Sequence, residues 1–205
     1  MNPPSPPAPA TFVRFGVLFY GAMGIAAVLW RVGGYGESIW RPTVAEPALG
    51  PWAALLWGAA VGLVVVAGSW LFTERSAAGA RLARAMAEPL RGLSVPDALL
   101  LAAASGFAEE LFFRGALQPR VGLVVASVLF GALHFAPRRE LWPWTLFAVV
   151  MGFVLGGLYE RTGSLLAPVA AHTVVNGINL PLLVRRYARA ETAAEGVTPA
   201  NDDSG

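Results

Sequence analysis

The run Pro51–Phe72 contains no charged residue and is almost wholly apolar. About 20 such residues are what a helix needs to cross ~30 Å of hydrocarbon. In lipid no water satisfies a backbone N–H or C=O, so the segment has to pair its own main chain as a helix, and any further spans have to do the same. More follow. Phe15–Trp30 is uncharged between Arg14 and Arg31, and Asp97–Leu117, Val121–Ala136, Leu141–Tyr159 and Ser164–Val184 complete a set of six, separated by short charged or Gly/Pro-containing turns. The predicted fold is therefore all-α, a polytopic transmembrane helix bundle of six spans. An additional helix in the interface is expected over Glu74–Arg91, where Arg75, Arg81, Arg84 and Arg91 are set among alanines and leucines.

Composition agrees with this class: 56% of the 205 residues are hydrophobic and 14% charged, with a mean hydropathy of +0.56. The basic pI of about 9.5 comes from arginines that flank apolar runs rather than forming one stripe, which is the pattern of a membrane surface and not of a nucleic-acid binder. The chain has no cysteine and no lysine, which removes disulfides, thiolate metal sites, a cysteine nucleophile and lysine chemistry. Residues 1–11, with prolines at 3, 4, 6, 7 and 9, are expected to be a disordered leader. Residues 12–184 form the bundle, and 185–205 a disordered tail.

Arginines set orientation. Arg14, Arg75, Arg81, Arg84, Arg91, Arg138, Arg139, Arg185, Arg186 and Arg189 fall on one side of the predicted spans, against Arg31, Arg41, Arg120 and Arg161 on the other. Both termini are expected in the cytoplasm.

Within this apolar chain the stretch Phe107–Gly115, FAEELFFRG, stands out. Glu109, Glu110 and Arg114 are the ionisable residues between Ala98 and Leu117, and each costs ~3 kcal/mol or more near a bilayer centre unless paired or solvated. Glu110 and Arg114 are i,i+4 neighbours and can pair, whereas Glu109 lies about 100° round the helix with no local partner. A structural salt bridge with a spare carboxylate would explain the stretch alone. The two histidines, His134 and His172, both fall inside predicted spans. At ~1.5 Å per residue, Glu109 lies ~15 Å from the expected turn at Pro119 and His134 ~22 Å down the returning helix, while His172 and Asn176 lie ~12 and ~18 Å from Ser164. The four converge on one layer, with Phe130 and His134, and likewise His172 and Asn176, sharing a face at i,i+4.

The set EExxxR (Glu109, Glu110, Arg114), FxxxH (Phe130, His134) and HxxxN (His172, Asn176) resembles the CAAX protease and bacteriocin-processing family of intramembrane endopeptidases, relatives of the type II CAAX prenyl endopeptidases. Gln118 after the FRG triplet, and Arg161, Thr162, Gly163, Ser164, Leu165 and Pro168 before His172, also match, so the resemblance covers a core of about residues 94–183. It implies peptide-bond hydrolysis by activated water on a membrane-associated protein or peptide, in contact with membrane lipid and in a bacterial cytoplasmic membrane. Glu109 would be the general base, and His134 would hold the water and carry its proton. His172 and Asn176 would face the oxyanion, with Glu110, Arg114 and Phe130 in support.

Three alternatives stay open at this stage. Ser105 and Ser127 lie near these helices but outside any nucleophile motif. A zinc ion held by Glu109, His134 and His172 is possible chemistry, although no HExxH pair fixes two ligands on one face, and a metal-free site is favoured. A non-enzymatic transport, binding or immunity protein would use the same polar layer to hold a ligand.

Overall fold

The computed structural model describes residues 9–42 and 49–188. All regular structure among the described residues is helical: α1 Pro9–Val28, α2 Pro51–Arg75, α3 Ala77–Ala87, α4 Val95–Glu110, α5 Gln118–Leu133, α6 Trp142–Thr162 and α7 Leu166–Leu183. Wide π turns extend α1 through Leu29–Gly33, α4 through Leu111–Leu117 and α7 through Val184–Ala188. Five runs are long and apolar enough to cross a membrane: Pro9–Gly33, Pro51–Arg75, Val95–Leu133, Arg139–Thr162 and Leu166–Tyr187. Their outward faces carry bare apolar side chains such as Trp52, Phe15, Val64 and Leu133, each more than 70% exposed. A lipid solvent requires such a surface and water penalises it.

The third run corrects the expected hairpin. It is helical through Pro119 and Arg120, where the turn was predicted, and reverses at Gly122, whose φ of 80° and ψ of 166° are closed to a residue with a Cβ. Pro119 sits in the first turn of α5, where a missing N–H costs little. Arg120 is held by an ion pair to Glu37 and by stacking 3.9 Å from the Tyr35 ring centroid. The returning limb, Leu123–Leu133, rises only ~16 Å. The Val121–Ala136 segment is thus a half-length arm and not a full span, and it delivers His134 to the bundle interior.

Packing places the arms. α2 lies along α7 in parallel, because Gly58 and Gly62 allow backbone contact: a Cβ at Gly58 would stand 2.1 Å from the Ala167 carbonyl oxygen, and one at Gly62 2.8 Å from that of Ala171. α4 runs antiparallel to α7, with Gly106 against Thr173. Gly152 of α6 seats on Ser127 of α5. α4 itself starts on a capping box in which Ser94 and Asp97 satisfy each other's backbone N–H.

Three apolar clusters follow from this arrangement. One, around Val13, Ala87, Leu90, Leu101 and Val184, closes the end that holds α3. A second joins Phe113, Phe130, Met151, Leu155 and Val175. The third, around Ala27, Ile39, Leu111, Tyr159 and Leu165, closes the opposite end.

α3 is amphipathic as expected, with Gly79, Ala83 and Ala87 buried and Arg81 and Arg84 exposed. Two expected boundaries shift. Pro9–Thr11 belongs to α1 and Arg185–Ala188 to the continuation of α7; the rest of the expected leader and tail lies outside the described residues. Arg31, at the end of the first apolar run, is 2% exposed and pairs with Glu37 at 3.0 Å.

Candidate active site

Adjacent residues on a helix point ~100° apart, so Glu109 and Glu110 face different surroundings. Glu110 turns into protein and is fully buried. Its Oε1 accepts from Arg114 Nη1 at 2.9 Å, the expected i,i+4 pair, and also from His172 Nδ1 at 2.7 Å. Arg114, 1% exposed, spends its other arm on the Gly152 carbonyl at 3.2 Å and lies 4.5 Å from the Phe130 ring centroid. Each partner of the charge pair thus makes a further hydrogen bond, which offsets part of the cost of burial, while Glu110 Oε2 has no hydrogen-bond partner among the described residues. The π turns at Leu111–Leu117 that carry Arg114 widen the helix directly after the glutamates, a distortion frequent at functional sites.

Glu109 instead faces a cavity of about 380 Å³. His134, Phe130, His172, Asn176 and Ser105 line it as well, so the four residues expected to share a layer do share one. Along the corrected hairpin Gly122 stands ~20 Å from Glu109 and ~18 Å from His134, which levels the two. Their facing atoms, Glu109 Oε2 and His134 Nε2, are 3.8 Å apart, whereas an unbroken helix would separate the residues by ~37 Å. Oε2 has no hydrogen-bond partner among the described residues.

Donor chemistry fixes the imidazoles. His134 Nδ1 lies 2.7 Å from the Phe130 carbonyl oxygen, which can only accept, so Nδ1 carries the proton and a neutral ring offers a bare Nε2 to Glu109. His172 Nδ1 likewise donates to Glu110, leaving Nε2 for the cavity. Asn176 Nδ2 donates to Ser105 Oγ at 3.0 Å, and Ser105 passes its own proton to the Ala102 carbonyl at 3.3 Å. That chain orients the amide and leaves its second N–H unspent.

Three features escaped sequence reasoning. Ser105 was weighed only as a nucleophile, although its i,i+4 relation to Glu109 places both on one face. Trp144, at the start of α6, packs edge-on to His134 with ring centroids 5.5 Å apart. Tyr20 and the phenylalanines of α1 form a further wall of the cavity, and no motif marks them.

Comparison with known proteins adds an independent line. The family model for Type II CAAX prenyl endopeptidase Rce1-like proteins matches residues 91–178. A Bacillus subtilis (strain 168) protein described as "Uncharacterized protein YpbD" is 44% identical over 87 residues, which is 42% of this chain and 44% of that protein. The chain thus matches less than half the length of this relative. No solved structure gives a significant match.

Proposed function

Taking the Rce1-like character of residues 91–178 as the premise, we propose that the chain is an intramembrane endopeptidase that cuts a membrane-associated protein or peptide. The observation that carries this reading is the 3.8 Å approach of Glu109 Oε2 to His134 Nε2 in a cavity shared with His172 and Asn176. Two acceptors at that spacing can be bridged by one water at ordinary hydrogen-bond lengths of ~2.8 Å.

In the proposed reaction Glu109 Oε2 takes a proton from that water as its oxygen adds to the scissile carbonyl carbon. The negative charge passes to the carbonyl oxygen, where the free Asn176 N–H and His172 Nε2 receive it. For Nε2 to donate while Nδ1–H is held by Glu110, His172 must be the imidazolium. Charge balance supports this: Glu109 and Glu110 offset Arg114 and a protonated His172. The proton taken from water moves to His134 Nε2 and then to the departing nitrogen. The C–N bond breaks, leaving a new carboxyl terminus and a new amine.

Water would enter where α5 ends at the site. His134 is only four residues from Arg138, which pairs with Glu88 at 2.7 Å at the end of the bundle that carries α3. We assign that end to the cytoplasm, from the arginine distribution.

The donor types also suit a zinc ion, although among the described residues no three of them are gathered closely enough to form a metal-binding group. Glu109 Oε2 and both Nε2 atoms would be ligands, and anchoring of each Nδ1–H on a carbonyl or carboxylate is the habit of metal-bound histidines. When bound, zinc would polarise water and the scissile carbonyl. We favour the metal-free reading because three separate helices supply the three groups, and because Glu109 suffices as a base.

The test is a comparison of protein termini in membranes containing wild-type protein or Glu109→Gln. New termini close to membrane-anchored segments are expected with wild type alone. Identical termini in both would overturn the endopeptidase reading and favour ligand binding or transport by the same polar layer.

A further inference from the structure

The cavity has a wall from outside the matched segment, since Phe12, Phe15, Gly16, Phe19 and Tyr20 of α1 line it. Two glycines fix the register of that helix. A Cβ at Gly16 would meet Leu101 of α4 at 2.7 Å, and one at Gly24 would lie 3.6 Å from Leu111 and 3.8 Å from Ala108. α1 and α4 therefore run parallel in close contact. Tyr20 is one turn from each glycine and so lies on the same face, at the level of Ser105 and Glu109. Its ring is braced edge-on by Phe19 at 5.3 Å between centroids. Tyr20 and Glu109 line the same cavity, with the carboxylate close enough to act electrostatically on the phenol. Elsewhere Glu109 has His134 3.8 Å away, beyond direct hydrogen-bond length.

We propose that Tyr20 is a positioning residue for the reaction: its hydroxyl donates to the Glu109 carboxylate and holds Oε2 toward His134. The argument is one of degrees of freedom. Glu110 is fixed by Arg114 and His172, whereas Glu109 projects into a cavity with three side-chain torsions to settle. A base that must meet its water within a few tenths of an ångström needs such a second-layer support. The phenol is well suited, because it donates one proton from a rigid ring with two torsions. It follows that α1, which lies outside the matched residues 91–178, completes the site.

This inference rests on the endopeptidase reading for its rate effect, and two readouts separate the two. Tyr20→Phe keeps the ring and removes the hydroxyl. It is expected to lower kcat about tenfold with KM and the thermal midpoint unchanged, and Tyr20→Gln, which returns a donor, is expected to recover part of the loss. A Tyr20→Phe protein as fast as wild type overturns the inference. So does an equal loss in Tyr20→Phe and Tyr20→Gln accompanied by a lowered thermal midpoint, since that is a packing effect. The second readout needs no turnover. The infrared difference between wild type and Glu109→Gln isolates the Glu109 carboxyl bands, and the same difference taken in the Tyr20→Phe background is expected to show them shifted. Unshifted bands overturn the inference whether or not the protein cleaves anything. Shifted bands in a protein without cleavage keep Tyr20 as the Glu109 donor and count against the endopeptidase reading alone.

Discussion

His172 Nδ1 and Arg114 Nη1 converge on one oxygen, Glu110 Oε1, at 2.7 and 2.9 Å. The second glutamate of the motif is thereby held inside the protein, while the first faces the cavity. Two neighbours of the same type divide their work because the helix points one into protein and the other into a cavity.

That division predicts opposite mutational signatures. Glu110→Ala leaves the Arg114 guanidinium, 1% exposed, without its counter-charge, and breaking one partner of a buried pair costs about 3–5 kcal/mol. Glu109→Gln removes an ion from a cavity wall and should leave stability nearly unchanged while abolishing activity. Denaturant or thermal unfolding in detergent, paired with cleavage assays, checks both. Equal destabilisation by the two changes would defeat the assignment.

The reversal at Gly122 gives a second expectation. At φ 80° and ψ 166° a Cβ is strained by about 1–3 kcal/mol, so Gly122→Ala should destabilise the hairpin and move His134 off Glu109. A Cβ there would meet no other atom within 4 Å, which makes the effect one of backbone strain alone. Activity should fall further than Tm. A Gly122→Ala protein with wild-type activity would show that the turn does not set the register.

Topology is the third. Reporter fusions after Gly50, Arg91, Arg139 and Gly205 should read outside, inside, inside and inside. The short arm Leu123–Leu133 sharpens this, because a reporter after Arg139 must return to the side of Arg91. Glu88 and Arg138, 2.7 Å apart, already bring those two loops together. An outside reading at Gly205 would contradict the assignment of the arginine-rich end to the cytoplasm.

The sequence made much of this site legible, for a physical reason. In a membrane an ionisable or amide side chain is expensive, so Glu109, Glu110, Arg114, His134, His172 and Asn176 stand out against their apolar neighbours as candidates for a site. Helical spacing then correctly paired Glu110 with Arg114 and set His172 and Asn176 on one face. Spacing within single helices could not disclose that Glu110 is the partner of His172, since that contact joins α4 to α7. The hairpin turn was misplaced because Pro119 and Arg120 carry the composition of a turn. Gly122, among valines and leucines, does not, although its backbone alone makes the reversal. Tyr20 was invisible for another reason: a tyrosine in an apolar span costs little and matches no motif, and only the packing of α1 on α4 at Gly16 and Gly24 brings it to the cavity that Glu109 faces.

Hydrolysis by a water that Glu109 and His134 activate without metal is the central claim, and metal content measured beside cleavage tests it most directly. Purified wild-type protein and Glu109→Gln are exhaustively chelated, assayed for zinc, and tested on a membrane-anchored substrate identified by the comparison of termini. The account predicts that chelated wild-type protein, free of stoichiometric zinc, cleaves at its full rate, and that Glu109→Gln stays inactive with or without added zinc. Stoichiometric zinc whose removal abolishes cleavage, and whose return restores it, would make Glu109, His134 and His172 ligands and contradict the mechanism.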